Sequence, residues 1–118
     1  MADANVAALN RALGEGIREC RMRLDYTPSY LIRMLGEIGP VESVRRLVTN
    51  PRPSEGFTRL LEHERLDLAV EFLALWPEFA CFFGDIADAA RCRLDGSGFD
   101  TETRLRQHVA RRPTSVAA

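Results

Sequence analysis

The sequence contains no lysine. All sixteen basic residues are arginine, and two readings account for that. The favoured one is the codon bias of a GC-rich genome; the other is selection for the bidentate pairing with phosphate that arginine makes and lysine does not. Cysteine is scarce and odd in number: Cys20, Cys81 and Cys92, at spacings that match no C-x2-C or related zinc pattern. Free thiols are therefore expected, with Cys20 and Cys81, set among apolar residues, acting as small core residues. The two histidines, His63 and His108, lack a ligand partner at helical spacing, so neither a metal nor a cofactor is expected. No apolar run approaches the roughly 20 residues that span a bilayer. The N-terminal stretch carries Asp3 and no basic region, which argues against a signal peptide and for a cytoplasmic location. β-branched residues are few and no stretch alternates with period two, which excludes a sheet as the organising element. No catalytic motif is present, and no enzymatic activity is expected.

What is present is enough for one folded domain. The 118 residues are 46% hydrophobic and 28% charged, the balance of a globular chain. The expected fold is all-α, a single compact domain of about six or seven short helices over residues 1–110, with residues 111–118 as a flexible tail. The stretch from Gly56 to Leu94 holds the only Trp and five of the six Phe. Phe72 and Phe79 lie in its densest part and are expected in the core.

Apolar residues Val6, Leu9, Leu13, Ile17, Cys20 and Leu24 recur at steps of three and four and predict a first helix over residues 5–24. Glu15 and Glu19 are placed to pair with Arg18 and Arg23. Gly14 and Gly16 suggest a bend or a close helix crossing. Pro28 suits the first turn of a second helix that ends near Leu35. Gly36 and Gly39 bracket a turn, and Pro40 starts a third helix with Val41, Val44, Leu47 and Val48 inward. Ser54 is a cap for a helix carrying Phe57, Leu60 and Leu61. An interruption is expected around Glu64 to Leu66, with Asp67 capping a new helix through Leu75; a single long helix over residues 55–75 is the alternative. Pro77 opens a short helix, Asp85 caps another that runs to about Leu94, and residues 101–110 make a last one.

The residues Tyr26-x-Pro28, Gly56-Phe57-x-x-Leu60-x-Glu62-x-x-Arg65-Leu66-Asp67-Leu68-x-x-Glu71 and Pro77-Glu78-Phe79 form a pattern, flanked by Leu31, Met34, Val44 and Leu47 and closed by Ala90-Arg91-x-Arg93-Leu94. This pattern resembles that of a family of small uncharacterised bacterial proteins, and it covers roughly residues 24–95. The resemblance implies an all-helical fold and supplies no activity, cofactor or catalytic residue.

Three constellations bear on function. The turn Leu35-Gly36-Glu37-Ile38-Gly39-Pro40 partly resembles a helix-hairpin-helix turn, whose backbone amides hold a phosphate. However, Glu37 stands where the first Gly would, and Val41 follows Pro40; a plain turn with Gly as C-cap is the favoured reading. Second, charge is uneven: residues 26–61 are net basic, 62–100 strongly acidic and 101–118 basic, which suits a dipolar partner-binding module or a surface whose charges pair locally. Third, Asp67 and Glu71 at helical spacing admit acid–base chemistry, but a cap at Asp67 with Arg65 pairing to Asp67 or Glu71 explains them without it. Two function classes follow. The favoured one is an interaction module that binds a protein partner or a second copy of itself. The alternative is a nucleic-acid-binding module. Arg33, Gly39, Arg45, Arg46 and Arg52 are the candidate contacts in either case.

Overall fold

The computed structural model describes residues 2–111, with side chains from residue 4 onward. The described residues are all-α and contain no strand. Helix α1 spans Ala2–Arg23, α2 Ser29–Thr49 and α3 Glu55–Glu62. Two very short helices follow, α4 (Val70–Leu73) and α5 (Ala80–Phe83), and then α6 (Ala87–Gly96) and α7 (Thr101–Arg111). Single 3-10 turns at Leu66–Leu68, Pro77–Phe79 and Gly84–Ile86 link the short pieces. Arg111 closes α7, and the rest of the expected tail lies outside the described residues.

Helix α1 follows its periodicity: Leu9 and Leu13, one turn apart, and Cys20, two turns further on, are buried. Of the bend or close crossing expected at Gly14 and Gly16, the close crossing is not made: a Cβ added at either would meet no atom within 4 Å. Glu19 turns to Arg65, 3.6 Å away, rather than to Arg23. The helix ends where the amides of Leu24 and Tyr26 both donate to the Cys20 carbonyl. Between them Asp25 takes φ +51°, a left-handed conformation that Asp tolerates better than most residues.

The turn expected between residues 36 and 40 contracts to one residue. Gly39, at φ 84° and ψ 172°, is the sole non-helical position inside α2, and that geometry is open essentially only to glycine. Gly36 stays helical. Pro40 starts the second half, where its missing amide has no partner to lose, and the Ser43 hydroxyl donates to the Gly39 carbonyl at 2.6 Å. Ser54 caps α3 as expected by accepting from the Phe57 amide at 3.1 Å.

After α3 the chain breaks, with Glu64 at φ +57°, so residues 55–75 are not one helix. Asp67 caps nothing, and neither does Asp85: no side chain caps the turns that these residues occupy. Both carboxylates are engaged by arginines instead. Arg65 holds Asp67 through two bonds of 3.0 and 3.1 Å, and Arg45 holds Asp85 through two of 2.9 and 2.6 Å.

The core has two parts. One gathers Leu9, Leu13, Val44, Val48, Leu73, Phe79, Phe83 and Ile86; the other gathers Cys20, Phe57, Leu60, Leu66, Phe72 and Leu94. The four-residue helix α4 sits between them, giving Leu73 to the first and Phe72 to the second, while Leu75 and Trp76 pack against both. Phe72 and Phe79, each 3% exposed, are core residues as expected. Cys20 is buried, but Cys81 is exposed. A helix as short as α5 gives too few turns for periodicity to fix which side faces inward. Helix α7 closes the fold through His108, which stacks on Trp76 at 3.9 Å and bonds Glu78 at 3.0 Å.

Candidate functional site

Where α1, the α1–α2 loop, α3 and α4 meet, the side chains do not close. A cavity of about 440 Å³ remains, within the range of pockets that hold small ligands or side chains of a partner. Its walls are mixed, with apolar side chains standing beside Asp25, Thr27, Ser29, Ser54, Glu55 and Arg59. Leu13 and Ile17 come from α1, Phe57 and Leu60 from α3, and Leu68, Val70 and Leu73 from the α4 region. Tyr26, Pro28 and Tyr30 form the rim on the loop side. Tyr30 is 57% exposed, with the Arg33 guanidinium 5.6 Å from its ring centroid. Arg59 sits similarly over Tyr26 at 5.1 Å.

Three titratable groups of the cavity are shifted, all in one sense. Burial pushes up the Cys20 thiol, the Tyr26 phenol and the Glu71 carboxyl, and all three residues line the cavity. Removing charge from water favours the neutral form of an acid. Glu71 is 1% exposed. Arg93, reaching from α6, bonds its Oε2 at 2.9 Å and opposes the effect of burial without cancelling it. The same guanidinium donates to the Leu47 carbonyl at 3.1 Å and to the Asn50 carbonyl. One cation thus ties the wall of the cavity to the carbonyl end of α2, where a positive charge is favoured.

A second hollow of about 460 Å³ adjoins the first. Tyr30, Leu47, Ser54 and Glu55 line both. The second hollow adds Met34, Arg46, Asn50 and Arg52.

The five residues nominated from the sequence do not form one contact surface. Arg46 and Arg52 share the second hollow, and Arg33 stands beside it over Tyr30. Gly39 is the hinge of α2. Arg45 is bound away from them, to Asp85 and to the Phe82 carbonyl at 2.8 Å. Arg46 pairs with Glu42 at 3.2 Å. Arg33 and Arg52 have no carboxylate partner among the described residues. The Asp67 and Glu71 carboxylates take separate arginines, Arg65 and Arg93, and so do not work as a pair.

Sequence reasoning missed Cys20, Tyr26 and Glu71 as the polar groups of a cavity, and Arg93 as the partner of Glu71. Glu71 in an apolar run was the available signal, because a buried acid requires a cation. Among the described residues no group of three or more Cys, His, Asp or Glu is placed to hold a metal, and no helix is long and apolar enough to cross a membrane. No family model matches this chain, and neither a curated protein nor a solved structure does.

Proposed function

We propose that the chain is a small cytoplasmic interaction module without catalytic activity, in which the cavity receives a large apolar side chain of a protein partner. The observation that carries this reading is the cavity itself. A chain of this size could close its core, yet about 440 Å³ stays open between α1, α3 and α4. The apolar part of its wall, with Leu13, Ile17, Phe57 and Val70, forfeits dispersion and burial while unfilled, and an arriving side chain regains both. The polar groups there suit binding rather than chemistry. The thiol is driven toward its unreactive protonated form, and the Glu71 carboxylate is occupied by Arg93.

The resemblance to small bacterial helical proteins belongs to the same proposal. Leu66, Phe57, Leu60, Phe79, Ala90 and Leu94 of that pattern are buried, and its Glu71 and Arg93 are partners. The pattern therefore reads as the specification of a core.

The experiment is a pull-down from the native host with the wild-type chain and with Gly16→Leu. Gly16 lines the cavity, and a Cβ there meets nothing within 4 Å, so leucine fills the space. A polypeptide retained by the first and lost by the second is the expected result; identical partners for both contradict the assignment of the site.

Nucleic-acid binding is the second reading, favoured by Arg33 and Arg52, which have no carboxylate partner among the described residues. It is weakened by the engagement of Arg45 with Asp85 and of Arg46 with Glu42. A polarisation titration with double-stranded DNA is expected to give no specific complex. A tight, salt-sensitive complex abolished by Arg46→Ala with Arg52→Ala reverses the ranking.

A further inference from the structure

We propose that the two hollows act as one groove for an acidic protein segment that seats a single large apolar side chain in the cavity and carries its carboxylates past Tyr30 to Arg52 and the neighbouring Arg33. The inference rests on the interaction-module reading and specifies the chemistry of the partner. Three observations support it. Tyr30, Leu47, Ser54 and Glu55 line both hollows, so an occupant of one abuts the other, and an elongated segment fits better than a compact molecule. The hollows differ in charge: among their lining residues the first holds Asp25, Glu55 and Glu71 with Arg59, and the second holds Arg46 and Arg52 with only the shared Glu55. Finally, the cations at that end are in excess. Glu42 matches Arg46, and Glu55 is the acid of the shared wall, but Arg52 and the neighbouring Arg33 have no carboxylate partner among the described residues. An acidic segment completes them, and opposite charges at a rim raise the rate of encounter and select the partner. The half-exposed Tyr30, with one apolar face and a polar tip, is the residue type that anchors such contacts.

The test pans a random 12-residue peptide library displayed on phage against the full chain, then measures a fluorescein-labelled winner by polarisation. Enriched peptides are expected to carry one Trp, Phe, Leu or Met together with several Asp or Glu. The winner should lose at least about tenfold in affinity to Gly16→Leu, as expected for a plugged anchor pocket. It should lose about three- to tenfold to Arg33→Glu with Arg52→Glu, and should weaken as salt is added. Melting curves confirm that each variant folds; Ala12→Leu, which fills the same cavity from the previous turn of α1, replaces Gly16→Leu if that one does not. Winners that are basic, or indifferent to the Arg33 and Arg52 reversals, overturn the acidic partner while leaving the interaction reading standing. A winner that binds the filled variant as well as the wild type overturns the groove. If no peptide is enriched over an unrelated bait, or if a DNA duplex binds more tightly than any peptide, the interaction reading falls with it.

Discussion

The Glu71–Arg93 and Asp85–Arg45 pairs join the same chemical groups at similar distances, 2.9 and 2.6 Å, and respond in opposite ways. Glu71 lies under the cavity, and burial holds its carboxyl above the ordinary value of 4.5 despite Arg93. Asp85 lies on the outer face, and the bonds from Arg45 hold its carboxyl below the ordinary 3.8. The contact is alike, so the surroundings decide. Water withdrawn from a charge costs more than one good partner returns, whereas on the surface little water is withdrawn. The cavity side of the molecule carries a polar debt that the outer face does not.

Breaking each pair should widen that contrast. Arg93→Ala leaves a buried carboxylate without its cation and frees the Leu47 and Asn50 carbonyls, an expected loss of about 3 to 5 kcal/mol. Denaturant unfolding measures it, with Phe72→Ala, also about 3 to 5 kcal/mol for a fully buried ring, as the reference. A loss for Arg93→Ala as slight as that of a surface residue would show that Glu71 finds water or another partner.

The pH dependence sharpens the comparison next. Because the folded-state pKa of Glu71 is raised above 4.5, its contribution is fully present below that pH and is lost as pH rises through the folded value. Asp85 has the reverse sign: its contribution is present above 3.8 and is lost as pH falls through its lowered folded value. Glu71→Gln should therefore flatten the decline in stability from pH 4.5 toward neutrality, while Asp85→Asn should flatten the acid limb. Unfolding midpoints across the two ranges check both, and exchanged effects would refute the assignment. The smallest effect is expected for Arg45→Ala, whose melting temperature should shift far less than that of Arg93→Ala.

The same contrast separates what was legible in the sequence from what was not. Local signals read true: the stepped Leu9, Leu13 and Cys20 of α1, the Ser54 cap, the break after α3 and the buried Phe72 and Phe79. Signals that depend on distant partners did not. Asp85 looks like a cap because Asp before a helix usually is one, but Arg45 takes it from 40 positions away. The cavity needs walls from four segments, and no local spacing announces a space that side chains fail to fill. Gly36 and Gly39 were both plausible at the turn; only the φ of 84° at Gly39 separates them. The arginines at 33, 45, 46 and 52 lie near one another in sequence, and the helix divides them, sending Arg45 to Asp85 and Arg46 to the second hollow.

The role of the cavity turns on where a partner lands. Amide chemical-shift mapping, with the library-selected peptide titrated into labelled protein, tests this most directly. Shifts should concentrate at Gly16, Ile17, Tyr26, Tyr30, Ser54 and Gly56 and spare Asp85, Asp88 and Cys92. Shifts centred on the Arg45–Asp85 face, with the cavity amides unmoved, would contradict it.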